Sequence, residues 1–214
     1  MSNFDVFKDT VMRYLMRNGI ELSFLSSLHE VSLNNTNDES RYLCNSGGDL
    51  EVVSMDVLAK DGYRKVKASS LKENPITTVD AFMINKNNEW YLIEFKDCPI
   101  RSDKKTTKDN IIKKAYENWY MILDMFYTMT EEGYENAIFD VVNPVKFAKL
   151  HVYYILVCSA DKNANIYNQV KNKALLNQNY TPPFMQRLKD YIFKDAFVYT
   201  EDFFEKKFVN NFVY

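Results

Sequence analysis

Glycine and proline are scarce in this chain, five of each in 214 residues. That composition excludes collagen-like repeats and Pro/Gly-rich disordered segments. Cysteine is also rare and odd in number: Cys44, Cys98 and Cys158 stand far apart with no metal-binding spacing. A disulfide framework is therefore not expected, and a reducing cytoplasm is the natural setting. The two histidines, His29 and His151, have no serine, cysteine or second histidine at a useful spacing, so they read as packing or surface residues. No apolar run approaches the ~18 residues of a membrane span. The longest, 152–160, suits a buried strand. The amino-terminal MSNFDVFKDTVMRY mixes charge with apolar residues and lacks the profile of a signal peptide. No charge sign dominates either: 27 Lys and Arg against 29 Asp and Glu leave a net charge of −2, which is awkward for a nucleic-acid protein because phosphate contacts normally need a basic footprint.

What is present is a large apolar share, 46%, with fifteen Phe and fifteen Tyr. This is enough for a proper core in a single domain over 1–214. Apolar spacing predicts a helix over 4–16, stopped at Asn18-Gly19, and a second over 21–31. The polar stretch 33–50 reads as an exposed loop, and 50–66 fits either a helix or the start of a strand. A long helix is predicted over 106–130 and a buried strand over 149–159. The extension 160–214 follows: Thr181 caps a helix with Phe184, Leu188, Tyr191 and Ile192 inward, 195–199 is a short strand, and Thr200 opens a last helix.

The most informative segment is 77–97, TTVDAFMINKNNEWYLIEFKD. Two apolar strands flank a turn around Lys86, Asn87 and Asn88. Side chains alternate with period two, so Trp90, Leu92, Glu94 and Lys96 share one face, as do Thr78, Asp80, Phe82 and Ile84. A hairpin symmetric about Asn87 sets Asp80 opposite Glu94, and a slip of one residue would part them. Buried strands rarely carry charge, and two facing carboxylates repel. The pair therefore calls for a cation, and hard oxygen ligands suit Mg²⁺ or Mn²⁺. The plainer alternatives are an Asp80 bound to backbone amides and a Glu94–Lys96 salt bridge at a strand end.

Asp80, thirteen intervening residues and Glu94-Phe95-Lys96 closing a hydrophobic strand resemble the signature of the PD-(D/E)XK nuclease superfamily. The resemblance extends over 70–160. An acid, any residue and lysine also occur at Asp103–Lys105 and Glu205–Lys207, but only Glu94–Lys96 ends a strand-like run with an Asp in the strand before it. Val79 stands where the superfamily's name places proline. The resemblance implies an α/β, restriction-endonuclease-like fold with an αβββαβ core. Its mixed central sheet would be flanked by helices, and the carboxyl-terminal helix–strand–helix would be an addition. It implies Asp80, Glu94 and the main-chain carbonyl of Phe95 as ligands of Mg²⁺ or Mn²⁺, Lys96 as the residue that orients the attacking water, and a further carboxylate from Glu30 or Glu21. The implied activity is metal-dependent hydrolysis of phosphodiesters, in DNA before RNA, with a homodimer as one assembly.

Basic residues gather on both sides of the motif. Lys60, Arg64, Lys65, Lys67 and Lys72 precede it, while Arg101, Lys104, Lys105, Lys108, Lys113 and Lys114 follow it. Arg101, Lys104, Lys105, Lys108 and Lys113 are the candidates for phosphate contact. Each has the alternative of a solvated helix or loop face. Tyr116, Trp119 and Tyr120 could stack on bases, though their spacing also suits a buried helix. Two non-enzymatic readings stand beside the nuclease: the same fold as an inactive module binding nucleic acid or protein, and a small interaction protein in which Asp80 and Glu94 are structural.

Overall fold

In the computed structural model, residues 1–36, 39–67, 74–100, 105–134 and 138–214 are described. The fold is α/β. Helix α1 (Asn3–Arg17) opens on a reciprocal capping box between Ser2 and Asp5, and buries Phe4, Phe7, Val11, Tyr14 and Leu15 at helical spacing. It stops at Asn18, and Gly19 takes a positive φ of 72° that a side chain would oppose. The chain then forms β1 (Leu25–Ser27), α2 (Leu28–Val31), and the hairpin β2 (Leu33–Thr36) and β3 (Glu39–Tyr42). Strand β4 (Glu51–Ser54) leads into the helical run α3 (55–66), whose middle, Leu58–Tyr63, is wound as a π-helix. Strands β5 (Ala81–Ile84) and β6 (Trp90–Lys96) follow, then the 27-residue helix α4 (Lys105–Glu131). The remainder is α5 (Pro144–His151), β7 (Val152–Cys158), α6 (Ala164–Leu175), α7 (Gln186–Tyr191), β8 (Asp195–Thr200) and α8 (Glu201–Lys207).

Six strands form one mixed sheet in the order β1-β4-β5-β6-β7-β8. The first three pairings are antiparallel; β6–β7 and β7–β8 are parallel. Parallel neighbours need a crossover, supplied between β6 and β7 by α4 and α5, and between β7 and β8 by α6 and α7. One face of the sheet packs on α1 and α4. Phe7 meets Phe82 and Trp90 there, and Trp90 meets Trp119 and Phe126. The other face meets the carboxyl-terminal segment, with Phe204 against Phe95 and Phe208 against Tyr91. Among the described residues no helix is long and apolar enough to cross a membrane.

Several expected elements change. The helix expected over 21–31 is instead the edge strand β1 followed by one turn of helix. Backbone pairing of Leu25 with Val53 and Ser27 with Glu51 outweighs a helix too short to stand alone. The expected loop 33–50 contains the β2–β3 hairpin, and its exit buries Leu43 and Cys44 completely. The strand expected over 149–159 begins only at Val152, because 149–151 finish α5, which starts on an Asn143 cap and Pro144. Thr181 caps no helix. Its hydroxyl donates to the carbonyl of Ala196, and a 3₁₀ turn, Pro183–Met185, precedes α7. Tyr191, expected inward, is exposed. Both readings of 50–66 hold in turn, since 51–54 form β4 and 55–66 form α3.

Candidate active site

The β5–β6 hairpin pairs Ala81 with Ile93, Phe82 with Leu92, Met83 with Tyr91 and Ile84 with Trp90, a register symmetric about Asn87. Asn88 takes the left-handed turn position at φ 56°. Asp80 stands one residue before β5. Its amide donates to the carbonyl of Ile93 (3.0 Å) and its carbonyl accepts from the amide of Met55 (3.2 Å). The approach to Asp80 is clamped from both sides. Thr77 gives its amide and hydroxyl to Glu117 of α4 (2.6 Å each), its carbonyl accepts from Asn118 (2.8 Å), and Thr78 donates to Asp56. The Asp80 carboxylate therefore has little freedom. Its Oδ2 accepts the amide of Phe95 at 2.6 Å, across the open end of β5.

Glu94 lies on the α4-facing side of β6 and has no solvent exposure. An isolated carboxylate there would cost several kcal/mol, so it must be paired. Two ammonium groups pair it. Lys114, from α4, places Nζ 2.7 Å and 2.8 Å from the two Glu94 oxygens, and Lys96 places Nζ 2.8 Å from Oε1. Burial, followed by the Glu94 charge, pushes the Asp80 carboxyl well above the usual range, against the opposing pull of Lys114, the Phe95 amide and Lys96. Desolvation works against the Lys96 ammonium, but Glu94 and then Asp80 outweigh it and its pKa rises. Tyr154, wholly buried beneath α4, donates its hydroxyl to the carbonyl of Ile111 at 3.1 Å.

These donors suit a hard divalent ion. Two carboxylates, one on β6 and one just before β5, could supply oxygen ligands. In an extended strand a residue's N–H and C=O face the same neighbour, so Phe95 offers its carbonyl on the Asp80 side. Among the described residues no three His, Cys, Asp or Glu side chains converge on one point.

The other predicted residues divide. Glu30 is exposed and already committed, completing a capping box with Ser27 and accepting from Ser26. Glu21 is exposed. Lys113 points outward and sits 3.6 Å from Glu117, so the inward lysine of α4 is Lys114 and not Lys113. The stripe Ile111, Ala115, Asn118 and Trp119 would have identified it, because Lys114 lies three after the first and four before the third. Lys105 is exposed, and Lys108 is half-buried with Nζ 5.7 Å from the Phe184 ring centre. Arg101, Lys104 and Lys72 lie outside the described residues. Lys60, Lys65 and Lys67 each stand in an ion pair, with Asp56, Asp61 and Asp124. His29 stacks on Tyr42 and His151 on Phe147. Trp119 is core, whereas Tyr120 is exposed.

Comparison of the chain with protein-family profiles, with curated proteins and with solved structures returns no match.

Proposed function

We propose that the protein is a metal-dependent nuclease of the PD-(D/E)XK type, hydrolysing phosphodiester bonds in DNA. One observation carries the reading: the hairpin register sets the clamped Asp80, just before β5, beside the buried Glu94 of β6, with the ammonium of Lys96 at 2.8 Å from Glu94. The element order supports it. With β1–β3 and the helices α2, α3 and α5 taken as insertions, α1, β4–β5–β6, α4 and β7 follow an αβββαβ order, as the reading requires.

Asp80, Glu94 and the carbonyl of Phe95 would hold Mg²⁺ or Mn²⁺. When bound, such an ion neutralises a phosphoryl oxygen and lowers the pKa of a coordinated water. Lys96 would orient that water and stabilise charge developing on the phosphate, at little reorganisation cost because Glu94 fixes its ammonium in advance. Lys114 would hold the Glu94 carboxylate in place through both of its oxygens, as a positioning residue.

A second reading has its own observation. Both oxygens of Glu94 are already taken by ammonium groups, so the cluster is electrically satisfied by the chain itself. In that case the fold would be an inactive module binding nucleic acid or protein. Calorimetric titration with Mn²⁺ and an oligonucleotide cleavage assay separate the two. The nuclease reading expects metal binding and cleavage, both lost in Asp80→Asn, and cleavage lost in Lys96→Ala. Metal binding undiminished in both Asp80→Asn and Glu94→Gln would remove it.

A further inference from the structure

A cleft of about 550 Å³ opens beyond the carboxyl end of β6, between the amino ends of α4 and α6 and the segment before α7. Its volume falls within the range of small-ligand sites. Its walls are of two kinds. Phe184 and Tyr180 supply aromatic surface, backed by Ile100 and Ile166. Lys108 and the first turn of α6 supply positive charge: the first amides of a helix have no partner within it, and its dipole favours an anion there. The Lys162 ammonium on the same wall is paired with Asp97. No Asp or Glu is among the described residues that line the cleft, although the chain as a whole is net acidic.

The cleft is built onto the candidate active site. Pro99 lines it and lies three residues after Lys96, a reach of at most about 11 Å. Asn163, at the start of α6, accepts the amide of Ile100 at 2.8 Å and donates to the carbonyls of Cys98 (3.1 Å) and Ser159 (3.0 Å). Lys162 binds the carboxylate of Asp97 at 2.8 Å. The segment leaving β6 is thereby tied to α6. Lys108 sits six residues before Lys114 on α4, ~9 Å along the helix.

We propose that this cleft binds one nucleotide: its phosphate against Lys108 and the amino end of α6, its base against Phe184. This rests on the phosphodiesterase reading in one respect, that the nucleotide belongs to the strand whose phosphate lies at Lys96, roughly two or three nucleotides away at about 3.4 Å rise each. A free mononucleotide has the same chemistry, and the experiment distinguishes the two sources.

The full chain is titrated in EDTA, where no cleavage interferes, with a fluorescein-labelled single-stranded 12-mer, with AMP and with inorganic phosphate. Phe184→Ala is expected to weaken the 12-mer about 5- to 100-fold, the range of one lost stacking contact. Lys108→Ala is expected to weaken it and to lower the slope of log affinity against log salt by about one. Lys146→Ala, an exposed lysine on α5, is the control. AMP binding that depends on Phe184, without binding of the 12-mer, assigns the cleft to free nucleotides and supports the proposal. Equal affinity in Phe184→Ala, absence of saturable binding of either nucleotide ligand, or binding of phosphate alone overturns it. Failure of the two readings is separable. Cleavage that needs Asp80 with a silent Phe184 removes only the cleft, and Phe184-dependent binding without cleavage under any metal removes only the nuclease.

Discussion

Glu94 is sealed from solvent while two lysines, one from its own strand and one from α4, converge on it. Fully orphaning a buried charge costs roughly 3–5 kcal/mol. Lys114→Met leaves Lys96 in place, so the expected loss is smaller, about 2–3 kcal/mol. Urea unfolding measures it, and pairing Lys114→Met with Glu94→Gln should recover part. An unchanged midpoint in Lys114→Met would mean that the two ammonium groups are redundant. A second carboxylate, Glu89, makes a contrasting case. Burial works against its charge, but hydrogen bonds from Lys194, Tyr153, Asn85 and Tyr91 prevail and hold its pKa at about 2 instead of 4.5. A depressed folded-state pKa gives stability that is complete above pH 4.5 and is lost as the pH falls toward 2. The gap in unfolding midpoint between the native chain and Glu89→Gln should close across that window. A gap that stays constant there counts against the network. Asp80, Glu94 and Lys96 were legible in sequence because alternation and a symmetric turn constrain a hairpin tightly. Charge clustering points to Lys113, whereas the apolar stripe of α4 selects Lys114, since one residue turns a helix by about 100° and a long helix carries lysines all round.

At the scale of elements, the long periodic segments were readable and the short ones were not. Helices α1 and α4 and strands β5 and β6 announce themselves by a sustained period, 3.6 or 2. Strand β1 has three residues, too few to show one, and exists because β4 offers it an edge. The β2–β3 hairpin is polar in sequence and is held through its exit, where Leu43 and Cys44 are buried and Glu205 accepts the amides of Asn45 and Ser46. Gly47 is part of that exit. A Cβ there would meet Cys44 Sγ at 2.7 Å and Leu28 Cβ at 3.1 Å, while Gly48 has open space. Gly47→Ala should therefore cost about 1–3 kcal/mol, the usual range of overpacking, with Gly48→Ala close to neutral in the same thermal-melt comparison. Equal melting temperatures would mean that the hairpin exit yields freely.

For the whole molecule, one hydrophobic core joins α1, the sheet and α4, and its reach determines which side chains reagents can find. Cys44 and Cys158 are buried. Burial, then the Glu205 charge, pushes the Cys44 thiol up to about 12, and burial raises Cys158 as well. Cys98 alone is partly open. Aromatic disulfide reagents should thus titrate one thiol in the native chain and three after denaturation, and rapid reaction of a second native thiol would show that the core opens. Arg41, on β3, carries a different consequence. Its guanidinium reaches Asp161 at 3.0 Å and Glu201 at 2.7 Å, the latter 160 residues downstream. During synthesis that arginine leaves the ribosome long before its counterions do. Local contacts such as His29 on Tyr42 can hold the hairpin earlier, but its tie to the last helix closes only after nearly the whole chain has emerged, a contact of very long sequence separation.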